Sequence, residues 1–164
     1  MVHLDFKIAD AWFDIAAPSI DFPNLTELEL RGEVFFGEAI MIVNGADLSW
    51  HVDLPMLDFA RQLFKASIEL SPLEPQTYID TLDYGDRLFL YLNETDVIWQ
   101  PSYSASEGIC GIGELVRASA VFGVRVFDDF VNVYPEAEAS VLLRRWYPIN
   151  EMKRTSLEFG TQSN

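Results

Sequence analysis

The stretch from Asp80 to Trp99 contains five acidic residues and a single base, Arg87, and the acids lie in or beside two turns. Carboxylate oxygens in such a group could ligate a hard cation, form a catalytic pair, or face a basic partner. The acids are Asp80, Asp83, Asp86, Glu94 and Asp96. Their spacing decides among these roles.

A calcium loop needs ligands at fixed positions over twelve residues and a bidentate Glu at the last one, and this stretch has neither. A catalytic carboxylate pair needs one member in an apolar pocket that raises its pKa, whereas turn residues are usually solvated. The spacing therefore favours a solvated acidic surface and predicts neither a metal site nor a cofactor.

Other catalytic patterns are also missing from the sequence. His3 and His51 are the only histidines, each on the polar side of a predicted strand, and no G-x-S-x-G elbow accompanies them. Cys110 is the only cysteine and has no cationic neighbour in sequence. The glycines before the last long helix fail the dinucleotide fingerprint, since Val116 stands where it needs glycine. We therefore predict a protein that is not an enzyme.

Aromatic side chains surround the acidic turns, and aromatic anchors ringed by charge are typical of protein-binding hot spots. Tyr91 and Trp99 also have an alternative interpretation, in which both are buried in the sheet. The predicted partner-binding residues are Asp80, Asp83, Tyr84, Asp86, Glu94, Asp96 and Trp99.

The elements that position these residues follow from hydrophobic periodicity. Alternation predicts strands at 2–9 and 26–36, with a bulge at Gly32 and a turn at Gly37-Glu38. Asn44-Gly45 predicts a hairpin. A second meander is expected at 76–82, 87–93 and 96–100, followed by a loop over 101–113.

Two long helices are predicted over 54–70 and 114–134, the first capped by Asp53. A shorter helix is expected from Glu136 to Trp146. The fold class is therefore α+β, a mostly antiparallel sheet of six or seven strands with the two main helices packed on one face. Residues 1–148 are expected to form one domain, and 149–164 a poorly ordered tail.

The net charge of −15 in 164 residues falls almost entirely on residues 1–110. A field of this sign repels phosphate backbones and anionic headgroups, so binding to nucleic acid or to a membrane is disfavoured and a basic protein partner is favoured. The acidity also has a simpler interpretation as a source of solubility. A lone cysteine and the absence of a secretion signal or a long apolar run predict a cytoplasmic protein.

Three segments, LELRGEVFF at 28–36, DLPMLDFARQLF at 53–64 and Tyr134-Pro135-Glu136, give the region 26–146 a resemblance to small acidic bacterial proteins of uncharacterised families. Many of those are regarded as immunity proteins that neutralise a cognate toxin. The resemblance is one of shape and composition. It implies protein binding and assigns no functional residue.

These observations predict a non-enzymatic protein-binding domain, an immunity-type inhibitor of a basic partner such as a nuclease toxin. Two alternatives stay open. The chain could be a structural subunit of a larger bacterial or phage assembly, since acidity does not separate a captured toxin from a permanent neighbour. It could also bind a small ligand in a pocket between sheet and helices, lined by Trp50 and Trp99. The sequence does not determine the oligomeric state.

Overall fold

A computed structural model describes residues 1–9, 21–32, 34–80 and 85–158. These residues form two antiparallel sheets of four strands each, together with five α-helices. The predicted α+β class is confirmed. The prediction of one sheet is wrong, because the two meanders each form a sheet of their own.

The first sheet is built around one central strand. Its strands are β1 (Val2–Ile8), β2 (Phe36–Val43), β3 (Ala46–Asp47) and β4 (Trp50–Pro55). Every residue of β1 pairs with one side of β2, and β3 and β4 pair with the other side. The predicted hairpin is confirmed at Asn44 and Gly45, whose φ angles of 49° and 88° fit the two-residue turn between β2 and β3.

The second sheet is a simple meander in chain order. Its strands are β5 (Gln76–Asp80), β6 (Arg87–Asn93), β7 (Asp96–Pro101) and β8 (Gly108–Gly111). The first three confirm predicted strands, whereas β8 lies inside the predicted 101–113 loop. One face of this sheet is in the core, where Ile79, Leu88, Leu90, Val97 and Trp99 are fully buried.

Two long helices complete the core. The helices are α1 (Glu27–Gly32), α2 (Met56–Glu69), α3 (Ile112–Val133), α4 (Val141–Trp146) and α5 (Ile149–Glu158). α2 and α3 confirm the two predicted main helices and pack against each other, with the rings of Phe59 and Phe122 6.2 Å apart and the hydroxyls of Ser67 and Ser119 2.9 Å apart. Within the described ranges, no helix has the length and apolarity needed to cross a bilayer.

The strand predicted over 26–36 is instead helix α1 followed by the start of β2. Thr26 donates to the Glu29 carboxylate through its N–H and its hydroxyl, each at 2.6 Å, and Glu29 N–H donates back to the Thr26 hydroxyl. This is a capping box, and it stabilises a helix start. Leu28 is exposed whereas Leu30 is buried, so the two leucines do not share a strand face.

The predicted turn at Gly37-Glu38 is also wrong, because both residues lie within β2, opposite Ile8 and Lys7. Glycine is needed at position 37 because the chains approach closely there. A Cβ atom on Gly37 would lie 2.5 Å from the Lys7 carbonyl oxygen. The glycine therefore permits strand pairing and does not end the strand.

Helix α2 begins at Met56 and not at the predicted cap, Asp53, which lies in β4. Pro55 occupies the N-cap position and makes no side-chain cap bond. The N–H of Met56 donates instead to the Phe35 carbonyl at 2.9 Å, so the neighbouring chain satisfies a group that Asp53 was expected to satisfy.

The C-terminal region is more ordered than predicted. The helix expected over 136–146 is a 3-10 turn, Pro135–Ala139, followed by α4, which Ser140 caps by accepting from Leu143 N–H. Residues 149–158 of the expected tail form α5, which packs on α3 and buries Met152 completely. This helix was missed because it contains few apolar residues, of which only Ile149 and Met152 are buried. Residues 159–164 lie outside the described ranges.

The two sheets meet where β8 passes the first sheet. A Cβ atom on Gly108 would lie 2.6 Å from Cβ of Val43 and 3.0 Å from a methyl carbon of Leu48. The side-chain amide of Asn44 also donates to the Ile109 carbonyl. This contact holds the edge of the second sheet against the first.

Candidate functional site

The structure separates the four described acids of the predicted set into two groups. Asp80 and Asp86 flank the β5–β6 turn, whereas Glu94 and Asp96 lie at the β6–β7 turn. Successive turns of an antiparallel meander lie at opposite ends of the shared strand, and the seven residues of β6 span about 20 Å. The acids therefore do not form one cluster.

The described acids have different surroundings. Asp80 pairs with Arg87 at 3.4 Å, and the Asp86 carboxylate accepts from the Ser102 hydroxyl at 3.3 Å. Glu94 and Asp96 are exposed. Asp83 and Tyr84 lie outside the described residues, so their predicted part in binding stays a prediction.

Trp99 is not available to a partner, which corrects its assignment as a surface anchor. Its side chain is fully buried on the inner face of the second sheet, and its indole N–H donates to Sγ of Cys110 at 3.2 Å. The alternative interpretation, burial in the sheet, is confirmed for this residue. Burial also raises the pKa of the Cys110 thiol to about 11, so the thiol stays protonated near neutral pH.

The opposite face of the second sheet is exposed and unusually apolar. Antiparallel sheets with one solvated face normally carry polar residues there. Here five large apolar side chains, which we call the outer face, alternate with the buried ones. The outer face consists of Tyr78, Phe89, Tyr91, Ile98 and Ile109.

These side chains form a continuous surface across the four strands. Tyr91, Ile98 and Ile109 lie opposite one another on β6, β7 and β8, and Tyr78 lies opposite Phe89. Tyr78 and Ile109 are 49% and 50% exposed, and the other three are half-buried. Because neighbouring cross-strand side chains touch, they present one apolar surface.

The aromatic rings of the outer face are held in fixed positions. The Phe89 ring lies 6.2 Å from the Tyr91 ring with an interplanar angle of 19°, and 6.1 Å from the Tyr78 ring. The Arg87 guanidinium covers the Tyr78 ring at 4.6 Å. Rings that are already packed against one another lose little freedom on binding, which suits them as anchors.

Acidic and amide groups border the outer face. Asp80 and Asp96 lie on the same side of the sheet at its two ends, and the Gln100 side-chain amide donates to the Glu107 carboxylate at 2.6 Å. Arg87 is the base on this side of β6. Two of the sequence-predicted acids thus belong to the border of an apolar surface, which is a different arrangement from the expected cluster.

None of the five outer-face residues is among the predicted partner-binding residues, although the strand β6 itself contains the signal. In RLFLYLN at 87–93, leucines alternate with aromatic residues. Both sets are apolar, so a polar-versus-apolar pattern does not reveal two faces. The alternation of aliphatic with aromatic residues does, because Leu88 and Leu90 are fully buried while Phe89 and Tyr91 are half-exposed.

The small-ligand pocket predicted between sheet and helices, with Trp50 and Trp99 in its lining, stays a prediction. Trp50 is buried and stacks on Tyr103 with the ring centroids 4.4 Å apart. A groove of about 400 Å³ passes beside it, bordered by Asp47, His51 and Asp86. Trp99, which is hydrogen-bonded to Cys110, is not among the residues that line this groove.

Across residues 1–9, 21–32, 34–80 and 85–158, no three His, Cys, Asp or Glu side chains are grouped to hold a metal ion. Comparison of the chain with protein-family models, with curated proteins and with solved structures finds no match.

Proposed function

We propose that this chain is a non-enzymatic protein-binding domain that inhibits a basic partner, in the manner of an immunity protein, and that it binds through the outer face. The observation that carries this proposal is the exposed row of aromatic and isoleucine side chains across the second sheet, where a solvated face would carry polar residues. Large apolar surfaces with a polar border are typical of interaction sites.

The two kinds of residue contribute differently to binding. Tyr78, Phe89 and Tyr91 supply the rings that a partner would desolvate, and such rings provide most of the binding free energy at an interface. Asp80 and Asp96 at the border, with the net charge of −15, attract a basic partner and accelerate encounter. A nuclease fits this description, since a cleft that binds phosphates also attracts carboxylates.

We expect the double variant Tyr78→Ser/Ile109→Ser to bind the partner roughly 30-fold more weakly, the effect of losing a hot spot of about 2 kcal/mol. Both side chains are about half-exposed, so the fold should tolerate the change. The partner is obtained by capture from the source cells on the immobilised chain. Surface plasmon resonance with the purified partner then gives the dissociation constants.

Val141→Ser/Leu157→Ser is the matched control, because it also removes two exposed apolar side chains, on α4 and α5. Its affinity should equal that of the unaltered chain. Equal weakening by both double variants, or by neither, would contradict binding through the outer face. If the association rate stays the same when salt is raised from about 50 to about 500 mM, the result would instead favour a permanent apolar neighbour in an assembly over a charge-steered inhibitor.

A further inference from the structure

Exposed sheet edges carry unpaired backbone groups, and side chains satisfy some of these groups at two edges of this fold. At β1, the N–H of Val2 donates to the Glu114 carboxylate at 2.9 Å, and the N–H of Phe6 donates to the Asp5 carboxylate at 2.7 Å. At β8, the Asn44 amide donates to the Ile109 carbonyl. Such contacts hinder another chain from pairing at the positions that they occupy.

The edge of β5 is closed at only one end. The N–H of Leu92 donates to the Pro75 carbonyl, so in the β5–β6 register the backbone groups of Gln76, Tyr78 and Asp80 point away from β6. The Gln62 side chain pairs with the backbone of Asp80, accepting from its N–H at 3.2 Å and donating to its carbonyl at 3.0 Å. This amide occupies the place of a neighbouring strand.

The remainder of that edge is open. The backbone N–H and carbonyl groups of Gln76 and Tyr78 have no hydrogen-bond partner within the described part of the chain. Both residues are exposed. Directly beside them lies the outer face, since Tyr78 belongs to it and Gln76 lies opposite Tyr91.

We propose that an extended basic segment of the partner pairs with the open edge of β5 as an additional strand. The proposal rests on the proposed function and specifies how the same surface is used. Backbone pairing at Gln76 and Tyr78 would supply affinity, and alternate side chains of the added strand would extend the outer face next to Tyr78.

Charge identifies the occupant as a basic segment of another protein. Exposed Glu74 precedes the edge, Asp80 ends it, and the chain as a whole carries −15. A second copy of this chain would bring the same charge and the same acids to the edge, so the two β5 strands would repel each other. A segment with lysine or arginine at alternate positions complements both acids.

The test uses a pool of nine-residue peptides that alternate lysine with valine, isoleucine or tyrosine, titrated into the isotope-labelled full chain. We expect the amide hydrogens of Gln76 and Tyr78 to become protected from exchange. We also expect Gln76→Pro to bind the peptides about fivefold to tenfold more weakly than Gln76→Ala, since proline removes one outward N–H bond of roughly 1 kcal/mol. That N–H does not pair with β6, so the strand should persist.

Equal binding by Gln76→Pro and Gln76→Ala, or no protection of the two amides at saturation, would overturn the proposal. So would an absence of binding at millimolar peptide, because the edge groups are already exposed. The captured partner separates this result from the proposed function. If Tyr78→Ser/Ile109→Ser weakens the partner and Gln76→Pro does not, then the outer face binds without an added strand; if neither does, both proposals fail.

Discussion

Replacing Asp58 with alanine should lower the free energy of unfolding by about 3–5 kcal/mol, because it leaves a partly buried cation uncompensated. Asp58 is 2% exposed, and its carboxylate accepts from Arg61 at 2.9 Å and from Gln62 at 2.7 Å. The Arg61 side chain is 19% exposed, so water can hydrate its guanidinium in the variant. The expected loss of stability therefore lies toward the low end of this range. Urea unfolding followed by circular dichroism measures the change.

Asp53→Ala is the control for this prediction, since it removes an exposed acid from the strand that leads into the same helix. Its effect should remain within about 0.5 kcal/mol. A loss below about 1 kcal/mol for Asp58→Ala would contradict the prediction, because it would place the pair in the range of exposed ion pairs. The two variants carry the same change in net charge, so long-range effects cancel in the comparison.

Replacing Trp99 with alanine should also cost about 3–5 kcal/mol of stability, as large-to-small changes in a packed core do. Its ring is fully buried, it lies between Leu90 and Gly108 across the strands, and its N–H bond to Cys110 is lost as well. Thermal and urea unfolding measure this loss. The large effect arises from folding and not from contact with a partner.

Trp99→Phe distinguishes these two roles. It keeps an aromatic ring in the core and removes the bond to Cys110, so most molecules should stay folded and partner affinity should remain within about twofold. If Trp99→Phe, while folded, weakened the partner as much as Tyr78→Ser/Ile109→Ser does, Trp99 would have a binding role that its burial does not explain. The comparison therefore tests the correction made to the sequence-based assignment.

Much of the fold was predictable because local patterns agreed with the final packing. Alternation at 2–8 and the turn residues that bound the apolar runs of the second meander mark true strands, and the helical stripes at 56–69 and 112–133 mark true helices. The error at 26–36 came from reading Leu28 and Leu30 as strand alternation while overlooking the Thr26–Glu29 capping box. Helix capping overrides a short apolar alternation. No described strand of the first meander pairs with a strand of the second, and this division into two sheets has no local signature in the sequence.

The candidate site was predicted only in part. Asp80 and Asp96 do border an exposed surface. Consecutive turns of a meander lie at opposite ends of the strand that they share, so the predicted strands already implied that the acids are separated. Trp99 is buried because alternate residues of β7 face the core, and Trp99 belongs to the inward set with Val97 and Pro101. Sequence alone did not show which of two apolar faces would meet the helices.

The order of strands along the chain has a consequence for folding. In the first sheet, Val2 pairs with Val43, which is distant in sequence. In the second sheet, the paired residues that are farthest apart in sequence are much closer, as in Gln76 with Tyr91 and Asp96 with Gly111. Closing the shorter loops costs less chain entropy, so we expect residues 76–133 to be structured in the folding transition state. Leu90→Ala should then give a higher φ value than Val43→Ala, and equal or reversed values would contradict this order. The outer face would accordingly take shape before the first sheet closes.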